Sequence, residues 1–352
     1  MRFLIPDICI HNTYVHDLAF ALEELGHEVI WGEDNFFYSQ WQPDVLLSQW
    51  PEGYFRTSLG GKTDRIKPHH LLSLQHRLEL YQKKTLSLSF IHNTKARPTG
   101  ITELDSQIKK LYQISYGAAH AFIHLGNNSI SELQELYPPS VYKNKPSLIV
   151  CHGLNEQLIR SCPVSEDQVN TSNDFRIFVP GAIRTWAEVS FLLRAFVEAR
   201  IPNKKLVISG GGLLFDGRHP LKVLRRTAIR SIPGVLLFGH RLDDPTLCHE
   251  IMKAQILVAP RLWATNSGIP YLAATFKRRC IGPAVGNLPL ALDELNGLLF
   301  DPSNSSSLAR AMEAAYEQRN IALLPKHPCP SWLEIAKQIE NFVIRLKSEQ
   351  FA

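Results

Sequence analysis

Two successive runs of short apolar strands alternating with amphipathic helices, divided by a polar stretch at residues 162–174, limit what this chain can become. In the first run, residues 2–5 read as a strand. Residues 14–25 then carry Val15, Leu18, Ala19, Leu22 and Leu25 at helical spacing, Gly26 stops that helix, and residues 27–31 return as a strand. Apolar runs at 45–48, 86–91, 121–124 and 148–151 have strand length, with helical patterns at 106–116 and 129–136 between them. The second run repeats the scheme, with strands at 176–179, 205–209, 235–238 and 256–259 and helices at 187–198, 221–230 and 246–254. Parallel strands need crossovers of about this length, and helices are what cover them. The expectation is an α/β chain of two Rossmann-like doubly wound domains, residues 1–162 and 174–328, facing a cleft. A last helical pattern places Trp332, Ile335, Ala336, Ile339, Val343 and Leu346 on one face behind a Ser331 cap. No short-period repeat is present, which argues against a solenoid.

The length of 352 residues suits two domains of this size. No apolar run reaches the roughly 18 residues that would span a bilayer. The first residues read as a strand rather than a signal peptide. Six scattered cysteines without a C-x-x-C pair fit a reduced cytosol and argue against a disulfide framework or a zinc site. The adjacent His69 and His70 read as part of a solvated loop. Charge is unevenly spread: residues 1–55 hold one basic residue against nine acids, and residues 56–110 hold eleven basic residues against four acids. Such a basic segment is either a solvated face or a contact for an anionic membrane surface or an acidic substrate. A cytoplasmic protein, peripheral at the inner face of the membrane and without a nucleic-acid partner, is the expectation.

The stretch from Pro260 to Pro302 says most about chemistry. Its loop at 265–268 opens an apolar helical run, followed by a strand-like piece, a Gly-Asn-Leu-Pro turn and a strand ending in Phe300-Asp301-Pro302. A loop that opens a helix presents N–H groups and the positive end of a dipole to an anion. This stretch resembles the nucleotide-sugar diphosphate loop of GT-B glycosyltransferases, above all the retaining family four. The run Phe178-Val179-Pro180-Gly181-Ala182-Ile183-Arg184 resembles that family's strand ending in Gly, followed by an Arg that approaches the donor diphosphate. Residues 206–212, a strand into Gly210-Gly211-Gly212, and residues 235–244 resemble two further strand turns of the same domain. The glycine run does not fit G-x-G-x-x-G, so no nicotinamide site is expected there. With Gly268 set on the family's signature glycine, Thr265 and Ala273 fall where two glutamates are expected, and Ala187 falls where a lysine is expected.

The resemblance implies a UDP- or GDP-type sugar held at Arg184, Arg241, Thr265, Asn266, Ser267 and Gly268. It implies a catalytic His92 facing the transferred sugar, and an acceptor side near Asn12 and Tyr14. It also implies a final segment, residues 329–352, returning to the first domain. Transfer to a glycan or lipid-linked acceptor would be retaining and free of metal and bound cofactor, since there is no Asp-x-Asp and an arginine stands ready for the diphosphate. An epimerase of the same architecture and a non-catalytic glycosyltransferase-like partner are the alternatives. The second draws on the absent glutamates.

Overall fold

The structure is a computed structural model that describes residues 1–7, 13–55, 66–96, 101–162, 174–209, 220–238, 240 and 242–350. The chain divides into two units, Met1–Gly153 with Cys329–Ala352, and Leu154–Pro328.

The first unit runs β1 (Arg2–Ile5), α1 (Thr13–Glu24), β2 (Glu28–Trp31), α2 (Glu33–Phe37), β3 (Val45–Ser48), α3 (Pro68–Gln82), β4 (Leu86–Ile91), α4 (Thr102–Ala118), β5 (Ala121–His124), α5 (Asn128–Leu136), α6 (Pro139–Tyr142) and β6 (Ser147–Ile149). Its sheet is parallel throughout, in the order β2-β1-β3-β4-β5-β6. Phe3 lies beside Val45, and Leu88 beside Ala121. Every residue of β3 and β4 is buried, as expected of strands covered by helices on both faces.

The second unit runs α7 (Glu156–Arg160), β7 (Phe175–Val179), α8 (Trp186–Glu198), β8 (Lys204–Ile208), α9 (Pro220–Arg230), β9 (Val235–Leu237), α10 (Asp244–Lys253), β10 (Ile256–Val258), α11 (Ile269–Thr275), β11 (Arg279–Pro283), α12 (Leu288–Glu294), β12 (Leu298–Phe300) and α13 (Ser305–Glu317). Its parallel sheet has the order β12-β11-β10-β7-β8-β9. The chain builds outward from β7 to β9, then crosses back to place β10 on the other side of β7. That reversal opens a crevice at the carboxyl ends of β7 and β10, the place where ligands settle on such sheets.

The final helix, α14 (Trp332–Gln350), belongs to the first unit. Its Trp332, Ile335, Ala336, Ile339, Val343 and Leu346 share one apolar cluster with Phe3, Val15, Leu18 and Leu22. Several helices depart from the sequence reading: the short α2, α6 and α7 are additional to it, α12 stands between the Gly-Asn-Leu-Pro turn and β12, and α3 and α13 are the long ones it lacks. Residues 69 and 70 lie in the first turn of α3, not in a loop, and the backbone N–H of Lys67 donates to His70 Nδ1 at 3.0 Å to cap it. Helix α13 is fixed by Asn304, whose side chain accepts from the Ser306 N–H. It buries Leu308, Ala309, Ala311, Met312 and Ala315, and the alanines among them weaken the periodic signal in the sequence.

Candidate functional site

At the switch point of the second sheet, three loops are tied together in series. The first, residues 180–185, leaves β7 through Gly181, which sits at φ 76° in the left-handed region. It ends at Thr185, the N-cap of α8, whose Oγ1 accepts the Glu188 N–H at 3.1 Å. Glu188 answers by accepting the N–H of Arg184 at 2.7 Å and of Thr185 at 3.3 Å. This is a capping box, and it fixes the backbone of the half-buried Arg184 in the loop after β7.

The second loop follows β10 and supplies Arg261, a buried residue. Its Nη1 donates to the Ala182 carbonyl at 2.9 Å and pairs with Glu188 Oε2 at 3.5 Å. One guanidinium therefore spans the crevice from the β10 side to the β7 side. The third loop follows β11 and is pinned to the second. The Asn287 N–H donates to the Thr265 carbonyl at 2.8 Å, and its Nδ2 donates to Asn266 Oδ1 at 2.8 Å. Gly286, at φ 54°, lets the two loops cross: a Cβ there would lie 2.3 Å from the Ala264 carbonyl oxygen and 2.4 Å from that of Thr265.

The loop at 265–268 is thus placed by neighbours on both sides. Thr265 is fully buried, Asn266 and Ser267 are half-buried, and Gly268 is exposed. The head of α11 is a weaker anion seat than the sequence implies. The helix has seven residues, Pro270 removes an N–H from its first turn, and the Ile269 N–H is shared with Ser267 Oγ at 3.4 Å. Charge at this site comes from arginine more than from a helix dipole. Ala273 is fully buried on the core side of α11, and Ala187 is exposed. Arg261 and Glu188 had no place in the sequence reading. The signal for Glu188 was there, since Thr185-x-x-Glu188 spells the capping box.

In the first unit, His92 follows β4 and is buried, with its Nε2 2.8 Å from Gln49 Oε1 at the end of β3. Its ring stacks on Trp50 at 4.1 Å and on Phe90 at 5.6 Å, and Tyr14 meets it edge-on at 4.8 Å. Burial, with His152 nearby, pushes its pKa down to about 3, so the ring is neutral at pH 7. Tyr14 is packed at the start of α1 against Phe90, His152 and Trp332, and burial raises its hydroxyl well above the usual range. His92 and Tyr14 therefore come together in one aromatic cluster. Asn12, Arg241 and Gly210-Gly211-Gly212 lie outside the described residues. Among the described residues, no group of three or more His, Cys, Asp or Glu side chains is arranged to hold a metal ion, and no helix is long and apolar enough to cross a membrane.

Residues 174–318 match the family model described as glycosyl transferases group 1. A comparison of the sequence with curated proteins finds no match. Among solved structures, the chain is similar to a sucrose-phosphate synthase from Thermosynechococcus elongatus, with 15% identity, a TM-score of 0.67 and 99% of each chain covered. It is similar to HepE of Anabaena, solved in complex with UDP-glucose, with 12% identity, a TM-score of 0.65 and 99% of each chain covered. A UDP-GlcNAc 2-epimerase from Methanocaldococcus jannaschii, in complex with UDP-GlcNAc and UDP, shows 12% identity and a TM-score of 0.56 over 97% of this chain and all of that one. At these identities the likeness is one of fold. The chain has the GT-B fold, and its second unit carries a group 1 glycosyltransferase domain at residues 174–318.

Proposed function

We propose that the protein transfers a sugar from a nucleotide-diphosphate sugar, of UDP or GDP type, to a glycan or lipid-linked acceptor, with retention and without metal or bound cofactor. One observation carries this reading: the segment that matches group 1 glycosyltransferases is the segment whose switch point is organised around Arg184 and Arg261. Arg184 pairs with the donor diphosphate through charge-assisted bonds and stabilises charge as the nucleotide departs. Arg261 acts through Glu188 and holds that loop in place. Asn266 and Ser267 add neutral hydrogen bonds, and Gly268 leaves room for close approach.

In the transfer step an acceptor oxygen bonds to the anomeric carbon on the face the phosphate leaves. The carbon–phosphate-oxygen bond breaks, and the acceptor proton passes to the departing phosphate. No protein base is needed, which agrees with a His92 whose pKa of about 3 makes it a poor one. His92 serves instead to orient a hydroxyl of the sugar. Tyr14 and Asn12 belong to the acceptor side. The place of work is the cytoplasm, at the inner face of a membrane if the acceptor is lipid-linked.

HepE was solved with UDP-glucose, so UDP-glucose is the first donor to test. Calorimetry with UDP and GDP, joined to hydrolysis of their sugars, should give binding to one nucleotide and slow release of its sugar. Arg184→Ala should weaken that nucleotide by roughly tenfold to a hundredfold, the worth of a charged hydrogen bond. Failure to bind any nucleotide would sink the reading and favour a non-catalytic partner. The fold shared with a UDP-GlcNAc 2-epimerase supports a second reading. Incubation with donor alone separates the two, since an epimerised sugar without transfer marks the epimerase.

A further inference from the structure

Helix α9 is built the wrong way round for a helix lying on a sheet. Such a helix turns its apolar stripe inward. Here Ile229 is 5% exposed, while Leu221, Val223 and Leu224 are 59%, 44% and 65% exposed. At about 100° per residue, Leu221, Leu224 and Ala228 form one outward strip, and Val223 and Thr227 close its other side. Ala228 and Thr227 are exposed too.

Two arginines, Arg225 and Arg230, border the strip, and the sequence of residues 220–230 contains no acid. Arg225 flanks the strip on one side, with its guanidinium 4.5 Å over the Trp186 ring. Arg230 flanks the other, with Nη2 3.4 Å from the Leu237 carbonyl of edge strand β9. Both residues stay exposed. A second copy of the chain or a protein groove would cover an apolar strip, but neither calls for an arginine rim without a single acid. An anionic bilayer calls for both parts. The strip sinks to the acyl boundary, and the flanking guanidiniums stay at the level of the phosphates.

We propose that α9 is an interfacial membrane-binding helix, which lays Leu221, Val223 and Leu224 into the surface of an anionic bilayer. This stands on α9 alone and does not rest on the reading of the donor site. It also places the contact on the second unit, apart from the basic segment at 56–110.

The test is sedimentation of the full-length protein with phosphatidylcholine vesicles, with and without phosphatidylglycerol. Binding to the anionic vesicles is expected, falling as salt is raised. The double variant Leu221→Glu, Leu224→Glu should lower it at least about tenfold. The double variant Arg225→Gln, Arg230→Gln should lower it by about fivefold per arginine, on anionic vesicles only. Leu290→Glu changes a similarly exposed leucine on α12, at 52%, and should leave binding unchanged. Because the altered leucines face solvent, the Tm of their variant should stay within about 2 °C of the parent. A larger fall means the strip is packed against this chain in solution, and that overturns the proposal. So does an absence of anionic binding, or binding that survives the leucine substitutions. A dimer in sedimentation velocity that these substitutions dissolve assigns the strip to a second copy and overturns it as well.

Discussion

Glu188 is the residue on which the second unit's site turns. Its side chain is 4% exposed and its only charged partner among the described residues, Arg261, is 9% exposed. The pair exists because each charge is hydrogen-bonded besides: Glu188 to the N–H groups of Arg184 and Thr185, Arg261 to the Ala182 carbonyl. Removing one member leaves the other buried without its counter-charge, which costs about 3–5 kcal/mol. Glu188→Ala should therefore lower stability by about that amount in urea unfolding and also release the Arg184 loop, weakening nucleotide binding. If binding falls while the urea midpoint holds, Glu188 contacts the ligand and is not the brace described here. Gly286 makes a separate demand. A methyl group there meets two backbone oxygens that belong to a pinned loop, in a left-handed conformation besides. Gly286→Ala should cost about 2 kcal/mol or more, read as a lower Tm. An unchanged Tm would mean that the loops after β10 and β11 slide freely past each other.

Among the elements, α14 depends on a single close approach. Gly153 lies so near the Trp332 ring that a Cβ would sit 2.4 Å from Cε2 and 2.7 Å from Nε1. Trp332 is 2% exposed and is packed edge-on by Tyr14, so it has nowhere to move. Gly153→Ala should overpack this contact by about 1–3 kcal/mol and loosen α14 along Ile335, Ile339 and Val343. Faster amide exchange across residues 332–346 is the expected reading, and unaltered exchange there would contradict it. This helix was legible because its apolar residues keep strict spacing over four turns. Strands β3, β4 and β5 were legible for a related reason: they are short apolar runs bounded by polar segments, broken only by Ser48, Ser87, Ser89 and His124. Helix α3 was missed although Leu71, Leu74, Leu78 and Tyr81 repeat at helical spacing. Three histidines within it and the exposed Lys67, Lys83 and Lys84 at its ends dilute that stripe in the sequence. The loop at 265–268 stood out through its glycine and turn pattern, and the helix after it was legible too, but its seven residues and Pro270 leave few N–H donors at its head.

At the scale of the molecule, the alternation of strands and helices carried the fold, yet strand order stayed hidden. No local pattern announces that the chain reverses between β9 and β10, and it is this reversal that brings Arg261 to Ala182 across 79 residues. The brace is a product of topology, which is why composition and spacing passed over it. A second molecular feature is a row of histidines at the carboxyl ends of the first sheet: His92 after β4, His124 closing β5 and His152 after β6. Burial lowers their pKa values to about 3, about 4 and about 4. His27, His70 and His120 shift the same way, with burial the largest cause in each. Unfolded, these side chains titrate near 6.5. Between that value and their folded values, the unfolded chain holds protons that the folded chain refuses. For His92, His124 and His152 the contribution is complete above about pH 6.5 and drains away as the pH falls toward 4, at about 1.4 kcal/mol per pH unit each; His27, His70 and His120 act in the same direction. Exposed carboxylates such as Asp301, lowered by its bonds to Ser303, lose their share only further into acid. The first unit should therefore be the acid-sensitive one, with its urea midpoint falling steadily from pH 7 to pH 5. Replacing His124 by Asn removes one titrating ring at the end of β5, so the slope of stability against pH should become shallower by about 1.4 kcal/mol per unit in that window. A midpoint that is flat from pH 7 to pH 5, or a slope untouched by His124→Asn, would mean that these rings take up protons without unfolding the sheet.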